Sequence, residues 1–311
     1  MFNNKNIFIA LTYKCNAFCT KCMTRYHVNK DIEMSEEILE RTISLLRKNN
    51  YSNIISVGTG EPLLYKRLPS FMDKILSLND DVRLRMLTNG MLLVPERTEI
   101  FNERCKWGIT MDAFYQDTLL GLQKGVDVEK VKSNIRNFVK NHGASQLYLN
   151  FTVSQANVQE ILPFCEFAIE NNIKEIYLTE LKLFSGYEQD LQEYRLIKDD
   201  KFFENIEDVK KLLANNGVFT TNINFGLRTP RKECYKVGRV SPIIDVDGTV
   251  SFCSGREDVF VGNIMEDDIE KKWSDFSKEL QKTNGKWCEK CYDRILENGT
   301  YMLPKTIRKD R

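Results

Sequence analysis

The stretch Tyr13–Arg25 reads YKCNAFCTKCMTR, and its three cysteines, Cys15, Cys19 and Cys22, govern how the rest of the chain is read. They crowd into eight residues, and the next cysteine is Cys105. Just before them lies NIFIALT, residues 6–12, an apolar β-branched run of the kind that forms a strand. Three thiols therefore sit where a first strand is predicted to end.

Further strand-like runs recur along the chain: NIISVG, VRLRMLT, KWGITMD, QLYLNFTV and IKEIYLTEL. Helical runs separate them. In MSEEILERTISLLRKNN, Leu39, Ile43 and Leu46 fall at i, i+4 and i+7, with Glu36 and Glu37 in the first turn and Lys48 near the end. LPSFMDKILSL, DVEKVKSNIRNFVKNH and VQEILPFCEFAIENN follow the same logic, and a last helix is predicted near Phe203–Asn215. Six β/α units of about 30 residues each imply an α/β fold with a parallel sheet. Six are too few for a closed eight-stranded barrel but enough for an open partial one, in which chemistry gathers at the strand ends. The distinctive residues obey that rule. The cysteine triplet follows the first run, Gly58–Pro62 (GTGEP) the second and Thr88–Gly90 (TNG) the third; Thr110–Asp112 closes the fourth and Thr179–Leu181 the sixth.

From about Gly226 the pattern changes to short strands and four more cysteines, with SPIIDVDGTVSFC reading as a hairpin that turns at Asp247-Gly248. Residues 1–225 are expected to form the partial barrel and residues 226–311 a small cysteine-rich domain. A chain of 311 residues can bury a substantial core and sits near the size where one domain gives way to two. A formal net charge of +1 provides no global field for nucleic acid or an anionic membrane, so neither is expected as a partner. No run approaches the 18 or so apolar residues of a spanning helix. The opening MFNNKNIFIALTYKC is expected to be a buried first strand and not the core of a signal peptide, since no small-residue cleavage site follows. With no export signal, nine cysteines point to the cytoplasm, where thiols stay reduced, and to metal or cluster ligation for the clustered ones. His27 and His142 are the only histidines, there is no H-E-x-x-H and no G-x-S-x-G elbow, which argues against histidine-rich zinc catalysis and gives a serine triad no support.

A 4Fe–4S cluster has four irons, each needing an external ligand beyond its sulfides. Three thiolates hold three irons and leave the fourth open, as a catalytic zinc site keeps one position for its substrate. Such an iron can take a small chelate, for example the amino and carboxylate groups of a methionine. A zinc knuckle borrowing a distant fourth ligand is the bland alternative.

Cys15-x3-Cys19-x2-Cys22, followed by Thr59-Gly60-Glu61-Pro62 and then Thr88-Asn89-Gly90, resembles the radical S-adenosylmethionine superfamily over roughly residues 6–225. The resemblance implies a partial (β/α)6 TIM-like barrel whose open iron chelates S-adenosylmethionine. It further implies reductive cleavage to methionine and a 5′-deoxyadenosyl radical that abstracts hydrogen from substrate. By motif match, Gly60 and Glu61 lie beside the methionine moiety, Gly58, Thr59 and Asn89 belong to the same cofactor-binding loops, and Thr110, Asp112 and Asn150 contact the ribose. Two departures stand out: the usual double glycine before Glu-Pro is Thr59-Gly60, and the usual aromatic before the third cysteine is Lys21.

Cys234, Cys253, Cys288 and Cys291, with Gly248 between the first two, resemble the SPASM auxiliary-cluster domain in its shortened twitch form. The resemblance implies one auxiliary 4Fe–4S cluster closed by four cysteines; C-x2-C is also a common zinc element. The order and spacing are most like the aminocyclitol dehydrogenases. A closed auxiliary cluster suits taking one electron from a substrate radical, which with loss of a proton to Glu180 would complete a two-electron oxidation. An epimerase would instead need a thiol to return hydrogen, and the spare thiols Cys105 and Cys165 read as core residues. Expected partners are an aminocyclitol, sugar-like or peptide substrate and a reducing protein such as flavodoxin or ferredoxin. The alternatives are modification of a ribosomal peptide by epimerisation or crosslinking, and a non-catalytic metal-binding scaffold.

Overall fold

The computed structural model describes residues 6–22, 31–56, 59–94, 97, 102–181, 192–220, 241–253 and 259–282. Strand β1 (Asn6–Ile9) is followed by β2 (Phe18–Cys19), helix α1 (Glu36–Asn49), β3 (Asn53–Ser56), α2 (Leu68–Leu76), β4 (Arg83–Thr88) and β5 (Cys105–Met111). Next come α3 (Gln116–Leu122), β6 (Gln123–Lys124), α4 (Val128–His142), β7 (Leu147–Val153), α5 (Ile161–Glu170), β8 (Glu175–Glu180), α6 (Asp200–Asn215) and β9 (Phe219–Thr220). The C-terminal part adds β10 (Ile243–Ile244), β11 (Thr249–Ser251), β12 (Phe260–Asn263) and α7 (Ile269–Lys282).

The helices begin where local chemistry satisfies their first free N–H groups. Ser35, Asp127 and Asp199 cap α1, α4 and α6 by accepting from Ile38, Lys130 and Phe202. Helix α1 ends on Asn50 in the left-handed region at φ 52°.

All six predicted strands form, in one sheet ordered β12-β11-β10-β1-β3-β4-β5-β7-β8-β9. From β1 to β9 every neighbouring pair is parallel. This is the expected α/β partial barrel, with two additions. β9 extends it past β8, and the C-terminal hairpin joins the other edge, where β10 runs parallel to β1 with Phe8 opposite Ile243 and Ile9 opposite Ile244. The hairpin turns where predicted, with Gly248 at φ +83°. It shares the barrel's core, since Ile244, Val250, Ile264, Trp273 and Leu280 belong to the same buried cluster as Ile7, Trp107 and Phe151. Arg41 of α1 donates to the carbonyls of Ile264 and Glu266, and Asn49 to the Glu270 carboxylate, which fastens α1 to the start of α7.

The sheet has two unlike faces. Toward the helices point Ile7, Ile9, Ile54, Met86, Trp107, Ile109, Leu149, Phe151, Ile176 and Leu178, all fully buried. The alternate residues line the concave side. At its base, Glu175 accepts from Arg85, Lys106 and Tyr177, each at 2.6 Å. Above it Gly108 stands opposite Tyr148 in the β5–β7 register, and a Cβ there would meet the tyrosine ring at 2.2 Å. Only glycine leaves room for the ring to cross the sheet.

Burial alone would raise the Glu175 carboxyl, but hydrogen bonds from Lys106, Tyr177 and Arg85 outweigh it and hold it down at about 2. Its folded value lies below its unfolded one, so the stabilisation is present above the usual carboxylate range and is lost as pH falls through that range toward 2. Glu175→Gln should cost about 1–3 kcal/mol in urea denaturation at neutral pH, and the gap to wild type should shrink progressively as the titrations are repeated toward pH 3.

Candidate functional site

The cysteine triplet occupies the loop after β1. Phe18 and Cys19 pair antiparallel with Lys124 and Gln123, the Thr20 amide donates to the Leu122 carbonyl at 2.8 Å, and its hydroxyl to that of Gly121 at 3.0 Å. A loop too short to stabilise itself is thus held by the segment that follows α3. The Cys22 amide donates to the Cys19 carbonyl at 3.1 Å, closing the turn that separates those two thiols.

The next strand end presses directly against this loop. A Cβ on Gly60 would lie 2.4 Å from the Thr12 carbonyl oxygen and 2.7 Å from that of Lys14. The Glu61 amide donates to that Lys14 oxygen at 2.7 Å. Glu61 itself is buried, 1% exposed, and its carboxylate accepts from the Thr88 hydroxyl at 2.8 Å, the Asn89 amide at 2.9 Å and the Leu63 amide at 3.2 Å. Burial pushes its carboxyl up to about 7 even though those hydrogen bonds and Arg97 favour the charged form. Asn89 continues the chain of contacts. Its side-chain oxygen accepts from the Met91 amide at 3.0 Å, and its amide nitrogen donates to Asn16 at 2.8 Å and toward the Cys15 sulfur at 3.9 Å.

The structure therefore gathers Thr59, Gly60, Glu61 and Asn89 around the cysteine loop, with the Thr59 hydroxyl directed at the Thr12 carbonyl. Gly58 lies outside the described residues, as do Cys234, Cys288 and Cys291. Cys253, just after β11, is half-buried against the core.

Across the upper concave face, Thr110 stands opposite Asn150 and Thr152 opposite Thr179, and the Thr179 hydroxyl donates to the Asn150 side chain at 3.2 Å. Asp112, buried at the end of β5, receives Lys21 at 2.5 Å, and the same ammonium reaches the Thr152 hydroxyl. Lys21, Asp112, Thr152, Ser154, Leu181 and Tyr194 line a small cavity. Glu180 is paired with Lys198 at 2.6 Å, ahead of α6. Sequence reasoning noted Lys21 only as a departure and Thr179 only as part of a strand end, and missed Thr152 and Lys198. Thr152 had a signal, being a polar residue at period two near the end of an apolar strand.

Three thiols on one strand-end loop, one of them receiving the Ala17 amide at 3.4 Å and the Asn89 side chain, offer the donor chemistry that three corners of a 4Fe–4S cluster require. Among the described residues no three Cys, His, Asp or Glu side chains surround a single ion, and a cluster asks instead for one thiolate per iron. Burial raises the Cys15 thiol pKa, with Glu61 and Cys22 adding to it and the Ala17 and Asn89 donors opposing it; burial and then Asp112 hold Cys19 well up. Iron binding must displace those protons.

Comparison with known proteins agrees with this geometry. Residues 9–179 match the model of the radical SAM superfamily, and residues 234–292 that of SPASM, an iron–sulfur cluster-binding domain. The chain is 29% identical over 192 residues to a probable GTP 3′,8-cyclase of Archaeoglobus fulgidus, 59% of this chain and 62% of that protein, so it spans less than two-thirds of that relative's length. Its fold is like that of Streptococcus suis SuiB bound to the precursor peptide SuiA, at TM-score 0.69 and 15% identity, covering 90% of this chain and 67% of that one. It is also like anSMEcpe with bound AdoMet, at TM-score 0.67 and 19% identity, covering 92% and 86%.

Gly60→Ala forces a methyl group onto two backbone carbonyls, so it should destabilise the fold by about 1–3 kcal/mol and lower iron retention after anaerobic reconstitution. Replacing Cys15, Cys19 and Cys22 together by Ala should halve an iron content of about eight per chain, the number for two 4Fe–4S clusters. A protein that takes up zinc and no iron under these conditions would refute the cluster assignment.

Proposed function

The chain belongs to the radical SAM superfamily and carries a SPASM-type domain, and on that premise we propose that it oxidises its substrate by two electrons. Its cofactors are S-adenosylmethionine and 4Fe–4S clusters, one held by the N-terminal loop and the auxiliary one belonging to the C-terminal domain. When bound, they supply the electron that cleaves S-adenosylmethionine, the 5′-deoxyadenosyl radical that takes a hydrogen atom from substrate, and an acceptor for one electron. The residues proposed for the auxiliary site are Cys234, Cys253, Cys288 and Cys291.

The observation that carries this reading is the placement of the two thiols outside both sets. Cys105 and Cys165 are fully buried. Cys105 opens β5, whose other end bears Thr110, and five residues of strand put it about 17 Å below that residue. Burial drives its thiol pKa upward, and that of Cys165 in α5 is pushed up to about 12. The burial of both thiols supports loss of a proton and an electron over epimerisation.

The upper concave face supplies the remaining functions. Thr110, Asp112 and Asn150 are proposed to hold the ribose of S-adenosylmethionine, with Gly58, Thr59, Gly60 and Glu61 shaping its methionine end. Glu180 is the proposed proton acceptor, its carboxylate kept at the mouth by Lys198. The hydroxyl and amide groups of this face suit a polar substrate, an aminocyclitol or sugar-like alcohol going to a carbonyl. A flavodoxin or ferredoxin is the proposed electron source. Among the described residues no helix is long and apolar enough to cross a membrane.

One S-adenosylmethionine should be consumed per two-electron oxidation. In deuterated water the product should gain no deuterium at the attacked carbon, and Cys105→Ser and Cys165→Ala should leave product identity unchanged. Deuterium incorporated there without change of oxidation level would replace the oxidase reading with epimerisation. A new carbon–carbon or carbon–sulfur bond within a peptide would replace it with crosslinking.

A further inference from the structure

We propose that Asn89 is a positioning residue for the N-terminal cluster, whose side-chain amide holds a hydrogen bond on the Cys15 sulfur and so raises the reduction potential, against the buried Glu61 carboxylate that lowers it. The inference rests on the N-terminal cluster alone, so a different fate of the substrate radical leaves it standing.

The orientation of the Asn89 amide is set by its partners. Its oxygen is taken by the Met91 N–H at 3.0 Å, which turns the nitrogen toward the cysteine loop. One of its hydrogens serves Asn16 at 2.8 Å, and the nitrogen lies 3.9 Å from the Cys15 sulfur. The backbone of Asn89 is fixed by its N–H bond to Glu61 at 2.9 Å, and Glu61 is held in turn by Thr88 and Leu63. Asn89 is itself 8% exposed, so the amide is screened from competing water.

Hydrogen bonds to cluster sulfurs stabilise the more negative, reduced state and raise the potential, and a nearby carboxylate does the reverse. Glu61 and Asn89 are buried, so both effects originate at reduced dielectric, while the Cys15 they act on is itself exposed. Cys15 is joined to both groups: the Asn89 amide donates to it, and the Glu61 carboxylate accepts from the backbone N–H of that same Asn89 at 2.9 Å. A path from buried Glu61 and Asn89 to the exposed Cys15 therefore sets two opposed contributions on one ligand. It also departs from the expectation that Asn89 belongs only to a cofactor-binding loop.

The test is potentiometry of the anaerobically reconstituted full chain followed by EPR, with the N-terminal cluster identified by the change of its signal on adding S-adenosylmethionine. Asn89→Ala should shift its midpoint to more negative values. Asn89→Asp keeps the acceptor for the Met91 N–H but replaces the donor by a charge, and should shift it further in the same direction. Glu61→Gln should shift it to less negative values. Opposite signs are the signature, because loosening of the loop alone would not move the two positions apart. If Asn89→Ala fails to hold the cluster, the comparison of Asn89→Asp with Glu61→Gln decides. Unmoved potentials, or shifts of the same sign at positions 61 and 89, would overturn the assignment.

Discussion

One buried carboxylate organises the mouth of this sheet. Glu61 cannot be solvated where it sits, so it must collect donors from the protein, and the donors it collects come from different strand ends. Thr88 ends β4 and Asn89 follows it, Leu63 belongs to its own loop after β3, and the Glu61 amide reaches back to Lys14 in the loop after β1. The carboxylate thus ties its own loop to the end of β4, and the Glu61 backbone ties both to the loop after β1. Gly60 makes the approach possible, since any side chain there would strike the carbonyls of Thr12 and Lys14. The cysteine loop is positioned as a consequence of this contact and of the β2–β6 pairing, not by regular structure of its own.

A second constraint joins the two ends of the chain. β10 completes the hydrogen bonding of the β1 edge, with Ala10 donating to Ile244 and Phe8 to Pro242. An unpaired parallel edge beside a cluster loop would be open to fraying and to association. The Tyr13 hydroxyl donates to Asp245 at 2.7 Å, two residues before the first cluster cysteine, and Ala10, Tyr13 and Val246 form a small apolar cluster of their own. The described C-terminal residues and the cysteine loop are thereby parts of one packed body.

The strand alternation divides labour between the faces. The helix side is almost wholly aliphatic and aromatic, and provides the stability. The concave side tolerates Arg85, Lys106 and Glu175 at its base because they satisfy one another, and Thr110, Asn150, Thr152 and Thr179 at its top, where a polar ligand can be bound. Lys21 marks this chain's own solution. In place of the expected ring it puts an ammonium onto Asp112 and Thr152, joining the cysteine loop to β5 and β7.

Much of this could be read from the residues alone. Six strands and the major helices followed from local composition and helical spacing, because β-branched runs and apolar residues such as Leu39, Ile43 and Leu46 at i, i+4 and i+7 act locally. The cysteine triplet pointed to a three-corner cluster through its resemblance to the radical S-adenosylmethionine superfamily, with a zinc knuckle as the alternative that spacing alone left open. Short pieces were invisible: β2, β6 and β9 have two residues each and exist only because a partner strand supplies their hydrogen bonds. The attachment of β10 to β1 joins residues more than 230 positions apart and has no local signature. The same holds for Glu61, which in sequence is one motif residue, yet in the fold satisfies its charge with groups 27 and 28 residues away. Sequence determined which residues could carry the chemistry; only tertiary packing decided which of them meet, because a buried charge or an open strand edge is satisfied by whatever the fold brings beside it.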